Sequence, residues 1–240
     1  EGKLVPQQAE DGSAEELLAE IQAEKQRLYA AGKLKKKDLA HSTIFRAEDG
    51  MYYEQVGKTI TCINEEIPFD LPDGWVWGRG RTLFLPMEST RPSGEAFIYI
   101  DVDAVNNQTH RVDNPKRILT VDAPSRASRK LHESDVLFSM VRPYLRNIAL
   151  ISKELSDAIA STGFYVITPS VGIYSKFLYY LVLSPYVVDG INAFMKGENS
   201  PSVNNGHIEN FIYPLPPLTE QQRIVSKLEE VLGVMDRLGQ

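Results

Sequence analysis

A single cysteine, Cys62, stands among the 240 residues, which excludes an internal disulfide and any cysteine-rich zinc site. A reducing cytoplasm is the expected setting, and the N-terminus lacks the basic-then-apolar layout of a secretory signal. Long hydrophobic runs are also missing. The most apolar stretch, residues 173–194, is broken by Lys176, Ser184-Pro185 and Asp189, so no membrane span is expected. The four histidines, His41, His110, His132 and His207, show no metal-ligand spacing. Gly57-Lys-Thr59 looks like the end of a phosphate-binding loop, but Tyr52 stands where that loop needs its first glycine. Gly78-Arg-Gly80 opens like a dinucleotide fingerprint, yet Leu83 takes the third glycine position. There is no Gly-x-Ser-x-Gly elbow. Pro72-Asp73 has no downstream acidic-x-lysine pair to complete a metal-dependent nuclease motif, and Pro216-Pro217 lacks the preceding Asn or Asp of base-methylating enzymes. Together these absences argue against an enzyme, and no catalytic residue, metal or cofactor is expected.

What is present suits a globular chain with a real core: 42% hydrophobic and 24% charged residues, enough for one generous domain or one domain with helical extensions. The net charge of −6 is unevenly spread. Residues 1–70 carry a net of −5, whereas residues 107–152 carry a net of +4. Eight basic residues make up that middle stretch: Arg111, Lys116, Arg117, Arg126, Arg129, Lys130, Arg142 and Arg146. A basic segment inside an acidic chain suits a local phosphate-binding face, and equally an ordinary solvated surface.

Ser13 with Glu16 predicts a capped helix start, after which Leu18, Ile21 and Leu28 share one stripe with Lys25 between them. The lysine is tolerable there if its stem lies on apolar surface and its ammonium reaches water. Gly32 ends the helix. Asp49-Gly50 between short β-branched runs predicts a hairpin, with another strand at 59–63. Residues 77–168 read mostly as strands, at 81–85, 97–100, 117–121, 136–141, 147–151 and 163–167. Two helices are expected next, one at 175–183 and one capped by Ser184 with Pro185 first, ending near Gly197. A polar loop at 197–206 and a short strand at 211–213 follow. Finally Thr219 with Gln222 reads as a second capping box, and Ile224, Leu228, Val231, Met235 and Leu238 recur at the spacing of a coiled-coil seam.

Four stretches, in order, resemble one half of the DNA-specificity subunit of Type I restriction–modification systems. They are Gly2-Lys-Leu-Val-Pro-Gln7 with Glu15-Glu-Leu-Leu18 and Ala23-Glu-Lys25; Ile67-Pro-Phe-Asp-Leu-Pro-Asp-Gly-Trp75 with Trp77; the internal strands Asp135-Val-Leu-Phe-Ser139, Arg142-Pro-Tyr-Leu-Arg-Asn147 and Ala160-Ser-Thr-Gly-Phe164; and Pro214-Leu-Pro-Pro-Leu-Thr-Glu-Gln-Gln-Arg-Ile-Val225. The resemblance implies an α+β fold: a β-rich target-recognition domain with a few helices, flanked by long helices forming an antiparallel coiled-coil-like spacer. It divides the chain into a conserved helical segment (1–40), a hairpin linker (41–66), the target-recognition domain (67–213) and the start of the spacer helix (214–240). The implied partners are double-stranded DNA, DNA methyltransferase (modification) subunits that bind S-adenosylmethionine, and an ATP-driven restriction/translocase subunit. Self-association through the spacer helix is a further expectation. The chain itself would read one half of a split target without catalysing anything. Rival readings are a scaffold module that binds no DNA and the recognition end of a fused DNA methyltransferase.

Base-edge readout needs Arg, Asn, Ser and Thr on supported loops, with phosphate contacts fixing register. The expected DNA-binding residues are Ser89, Thr90, Arg91, Arg111, Lys116, Arg117, Arg126, Arg129, Lys130, Arg142, Tyr144, Arg146, Lys196, Asn199, Ser200, Asn204 and Asn205. The expected helix-packing residues are Leu18, Ile21 and Leu28 against Ile224, Leu228, Val231, Met235 and Leu238.

Overall fold

The computed structural model describes residues 2–197 and 201–238, with side chains described as far as residue 235. Asn199, Ser200 and the side chain of Leu238 therefore lie outside the described residues. The chain divides into two compact units: residues 1–83, 170–177 and 212–240 form one, and residues 84–169 and 178–211 the other.

The first unit begins with α1 (Ala14–Ala30), capped by Ser13, whose Oγ accepts from the Glu15 amide; the expected box with Glu16 does not form, and the Glu16 amide donates to the Ser13 carbonyl instead. A three-stranded antiparallel sheet follows, β1 (Thr43–Arg46), β2 (Tyr52–Val56) and β3 (Thr59–Cys62). The Gly57-Lys-Thr segment is the turn joining β2 to β3, with Gly57 at φ 59°, and not a phosphate loop. Next come β4 (Val76–Arg79) and the short α2 (Gly80–Leu83). Here the expected strand at 81–85 is corrected. Only β5 (Phe84–Leu85) is extended, because the chain turns helically at Gly80 before re-entering a sheet. The turn is close enough that a Cβ on Gly78 would sit 2.7 Å from the Leu83 side chain.

Lys25 also departs from expectation. Its side chain is not reaching for water: it is 4% exposed, and its ammonium donates to the carbonyls of Arg81 (2.7 Å) and Thr82 (2.9 Å). It thereby satisfies carbonyl groups that the four-residue α2 leaves open. Burial pulls its pKa down to about 8. The α1 stripe of Leu18, Ile21 and half-buried Leu28 thus packs with α2 and the turn Lys36–Leu39.

The second unit holds β5, β6 (Ala96–Ile100), β7 (Val105–Asn106), β8 (Arg111–Val112), β9 (Lys116–Leu119), β10 (Ala127–Lys130), β11 (Val136–Ser139), β12 (Ile148–Leu150), β13 (Ile159–Ser161) and β14 (Phe164–Pro169). They form a four-stranded sheet ordered β10-β13-β6-β9, in which only β13 and β6 run parallel, an antiparallel four-stranded sheet ordered β12-β11-β14-β5, and a two-stranded antiparallel ribbon of β7 and β8. Strand alternation sorts the core. Ile98, Ile100 and Ala160 from the first sheet join Leu137, Ala149, Phe164 and Val166 from the second in one cluster. Phe97, Tyr99, Ala127 and Ile159, on the opposite face of the first sheet, form a smaller one.

Helix α3 (Ser175–Leu183) has the expected bounds, and α4 (Pro185–Asn192) starts at Ser184, whose hydroxyl accepts from the Val187 amide. It stops at Asn192 rather than near Gly197. At the end of the expected polar loop, and running past it, lies a short helix, α5 (Asn205–Asn210), capped by the Asn204 side chain on the His207 amide. The first unit resumes with β15 (Ile212–Leu215), antiparallel to β4, and then α6 (Leu218–Leu238).

The second capping box is corrected as well. α6 begins at Leu218, and Thr219 donates its hydroxyl to Asp11 at 2.7 Å. The Leu-Thr-Glu-Gln-Gln-Arg run works instead as a set of ties within the unit. Glu220 accepts from the Trp75 indole at 2.9 Å, and Gln221 bonds Tyr174, Gly172 and Pro216. Arg223 forks onto both oxygens of Asp11, holding that carboxyl far below its usual range. Along the seam, Ile224 is buried and Leu228 half-buried, whereas Val231 and Met235 are exposed. Among the described residues no helix is long and apolar enough to cross a membrane.

Candidate nucleic-acid interface

The turn between β11 and β12 is the most constrained loop of the second unit. Pro143 sets the backbone for a 3-10 turn over Pro143–Leu145, flanked by Arg142 (φ 48°) and Arg146 (φ 56°), both left-handed. Side chains with a Cβ rarely adopt that conformation, so the surroundings must enforce it. Leu145 and Arg146 amides close onto the Arg142 and Pro143 carbonyls. The following Asn147 is buried and donates to the carbonyls of Val102 (3.3 Å) and Val105 (2.8 Å), pinning the loop base to the chain before β7. The His110 ring, at the β7–β8 turn, meets the Arg146 carbonyl at 3.1 Å, and the Tyr179 hydroxyl donates to the His110 carbonyl. From the other side, the Arg142 amide donates to Pro201 and the Val203 amide to Met140. Val141 and Lys196 each bridge Ser202, and α4 packs on the turn.

Three loops far apart in sequence are therefore laced together. They bring Arg111, Arg142, Tyr144, Arg146, Lys196 and Asn204 to one region. Arg111, Arg142, Tyr144, Lys196 and Asn204 are exposed, Arg146 half-exposed. Asn204 is committed to capping α5, with Asn205 as that helix's first residue. Beside the turn runs a cleft of about 850 Å³. Arg126, Arg142, Leu145, Asn106, Asn107 and Asn114 line it, and the carboxylates Asp101 and Asp103 join them. The Arg126 guanidinium lies over Gly163, where a Cβ would stand 3.0 Å from its Nη2.

A second group forms along β10. The Thr90 amide donates to Ser128, Ser89 bridges Arg129, and the Lys130 amide donates to Glu88. Ser89, Thr90 and Arg91 thus run beside Arg129 and Lys130. Lys130 is paired here: Glu88 accepts from it at 2.7 Å and meets the His132 ring at 2.9 Å, which lowers the Glu88 pKa. Arg129 is half-buried, and desolvation depresses its pKa. Lys116 and Arg117 stand exposed on β9, the edge strand of its sheet, in neither group.

Sequence reasoning passed over Glu88, because its partners lie more than forty residues ahead, and over Asn114 and Asn147, because an isolated asparagine reads as a turn residue. The buried Asp135 accepts from the His132 amide at 2.7 Å, and burial raises its pKa to about 6.

A family model described as the Type I restriction modification DNA specificity domain matches residues 86–236. The chain is 28% identical to the Type I restriction enzyme EcoAI specificity subunit of Escherichia coli over 251 residues, covering 99% of this chain and 38% of that protein. It is 27% identical to the EcoEI specificity subunit of the same organism, covering 100% of this chain and again 38% of the relative. Among solved structures, the HsdS subunit from Thermoanaerobacter tengcongensis superposes with a TM-score of 0.66 at 37% identity, over 72% of this chain and 46% of that one. The chain thus spans well under half the length of the curated relatives it matches.

Proposed function

The chain belongs to the family of Type I restriction–modification DNA specificity domains, and on that premise we propose that it reads one half of a bipartite DNA target without catalysing a reaction. The observation that carries the reading is the laced loop region of the second unit. It gathers Arg111, Arg142 and Arg146, with Arg126 beside them in the cleft, although the chain as a whole is acidic. Guanidinium groups at fixed positions suit both phosphate clamping and bidentate reading of guanine edges, and Asn107 and Asn114 of the cleft suit adenine. Methylation and cleavage then fall to modification and restriction/translocase subunits in the cytoplasm. The exposed seam of α6, at Val231 and Met235, serves to dock an apolar helix of such a partner or of a second copy.

The test is a binding titration of the complex assembled with its modification subunits. One duplex carries the target, mapped by sequencing methylated host DNA, and the other is scrambled. The reading expects the mapped duplex to be held at least ~1,000-fold more tightly. Equal binding at every salt concentration would favour the scaffold reading.

A further inference from the structure

The tip of the β11–β12 turn combines two properties that rarely occur together. Tyr144 and Leu145 are 46% and 41% exposed, yet their backbone is held by the turn's own hydrogen bonds, by Pro201, by His110 and by the buried Asn147. Loop tips that stay in water are ordinarily small and polar, because an exposed phenol ring and isobutyl group gain nothing from solvent. Leu145 has no donor or acceptor with which to read a base edge, and Tyr144 has a single hydroxyl. Their common capacity is to offer apolar surface. The region around them argues for what that surface meets. Two arginines, Arg142 and Arg146, flank the pair in sequence, and Arg126 shares the cleft with Arg142 and Leu145. An apolar protein partner would meet a continuous apolar patch, whereas two apolar side chains bracketed by guanidiniums complement a polyanion with stacked aromatic faces. Asp101 and Asp103 also line the cleft, but Asp101 is turned to the Val102 amide, at 2.8 Å.

We infer that Tyr144 and Leu145 form a wedge that enters between adjacent base pairs of the bound duplex, while the flanking arginines hold the phosphates on either side. This deepens the proposed DNA reading and rests on it. The wedge adds specificity through deformability, since a pyrimidine–purine step opens more readily than others. The strained backbone at Arg142 and Arg146 is what keeps the tip from folding back when the stack resists.

The experiment uses the assembled complex and duplexes carrying 2-aminopurine at successive positions of the mapped half-site. Wild type should raise the fluorescence at one step only. Tyr144→Ala with Leu145→Ala should abolish that rise and weaken target binding roughly tenfold to a hundredfold, leaving the salt slope unchanged. Tyr144→Phe should keep the signal, which separates a wedge from a hydroxyl contact. Both side chains are exposed, so thermal unfolding of the double variant should match wild type and show that it folds. A double variant that binds the target and unstacks it like wild type overturns the wedge while leaving DNA recognition intact. Loss of the modification subunits from the double-variant complex would assign the tip to a protein contact and also overturn it. A wild-type complex that does not prefer the mapped duplex would instead overturn the underlying reading.

Discussion

Asp135 carries the clearest pH dependence in the molecule. Buried and facing the His132 amide, it holds its proton to about pH 6 when folded, against an ordinary value of 3.8. Folding therefore takes up a proton between those two pH values. The stability from this group is complete below pH ~4 and is lost as the pH rises through 6, to a total of about 3 kcal/mol. Asp135→Asn keeps an acceptor for His132 and offers its amide to the neighbouring Thr168 hydroxyl. Denaturant unfolding should show the variant gaining on wild type as pH rises from 5 to 7, and parallel profiles would show that Asp135 is ionised throughout. Lys25 makes the related point about legibility. A lysine in an apolar stripe reads as one that reaches water, and nothing local says that two carbonyls more than fifty residues away will take its ammonium. Buried polar partners of this kind are settled by tertiary structure, as are Glu88 with Lys130 and Arg223 with Asp11.

Elements were legible where local chemistry is decisive. Ser184-Pro185 marks the start of α4, Asp49-Gly50 marks the first hairpin, and the apolar run of α3 has no internal breaker. The failures have physical reasons too. The run at 81–85 has strand composition, but a glycine at position 80 lets the chain turn helically first. Asn204-Asn-Gly206 reads as a turn, and the same residues cap and open α5. α4 shows how a single glycine admits a neighbour: a Cβ on Gly190 would stand 2.6 Å from the Phe211 ring, which also packs against Tyr186. Gly190→Ala should therefore destabilise by about 1–3 kcal/mol despite its better helix propensity, and an unchanged unfolding midpoint would mean that the ring moves aside freely. In α6 the seam residues Val231 and Met235 are exposed, so Val231→Asp with Met235→Asp should leave the chain's own unfolding within ~0.5 kcal/mol of wild type. The same double variant should lose its modification subunits in sedimentation; retention of the full complex would make this face an ordinary solvated one.

At the scale of the whole molecule, composition alone pointed away from nucleic acid, since the net charge is −6. The sign reverses only when charge is followed along the chain and then into space, where the loop region and its cleft concentrate arginine from residues 111, 126, 142 and 146. Lys130 lies in the separate group along β10, paired with Glu88, and Lys116 stands on an edge strand. That contrast defines the most direct measurement: the salt dependence of target binding by the assembled complex, with Arg126→Ala plus Arg142→Ala compared with Lys130→Ala. Each phosphate contact contributes about −0.9 to the log–log slope. The arginine pair should make the slope shallower by roughly 2, and Lys130→Ala should leave it at the wild-type value. A wild-type slope for the arginine pair, or a shallower one for Lys130→Ala alone, would contradict the placement of the DNA face.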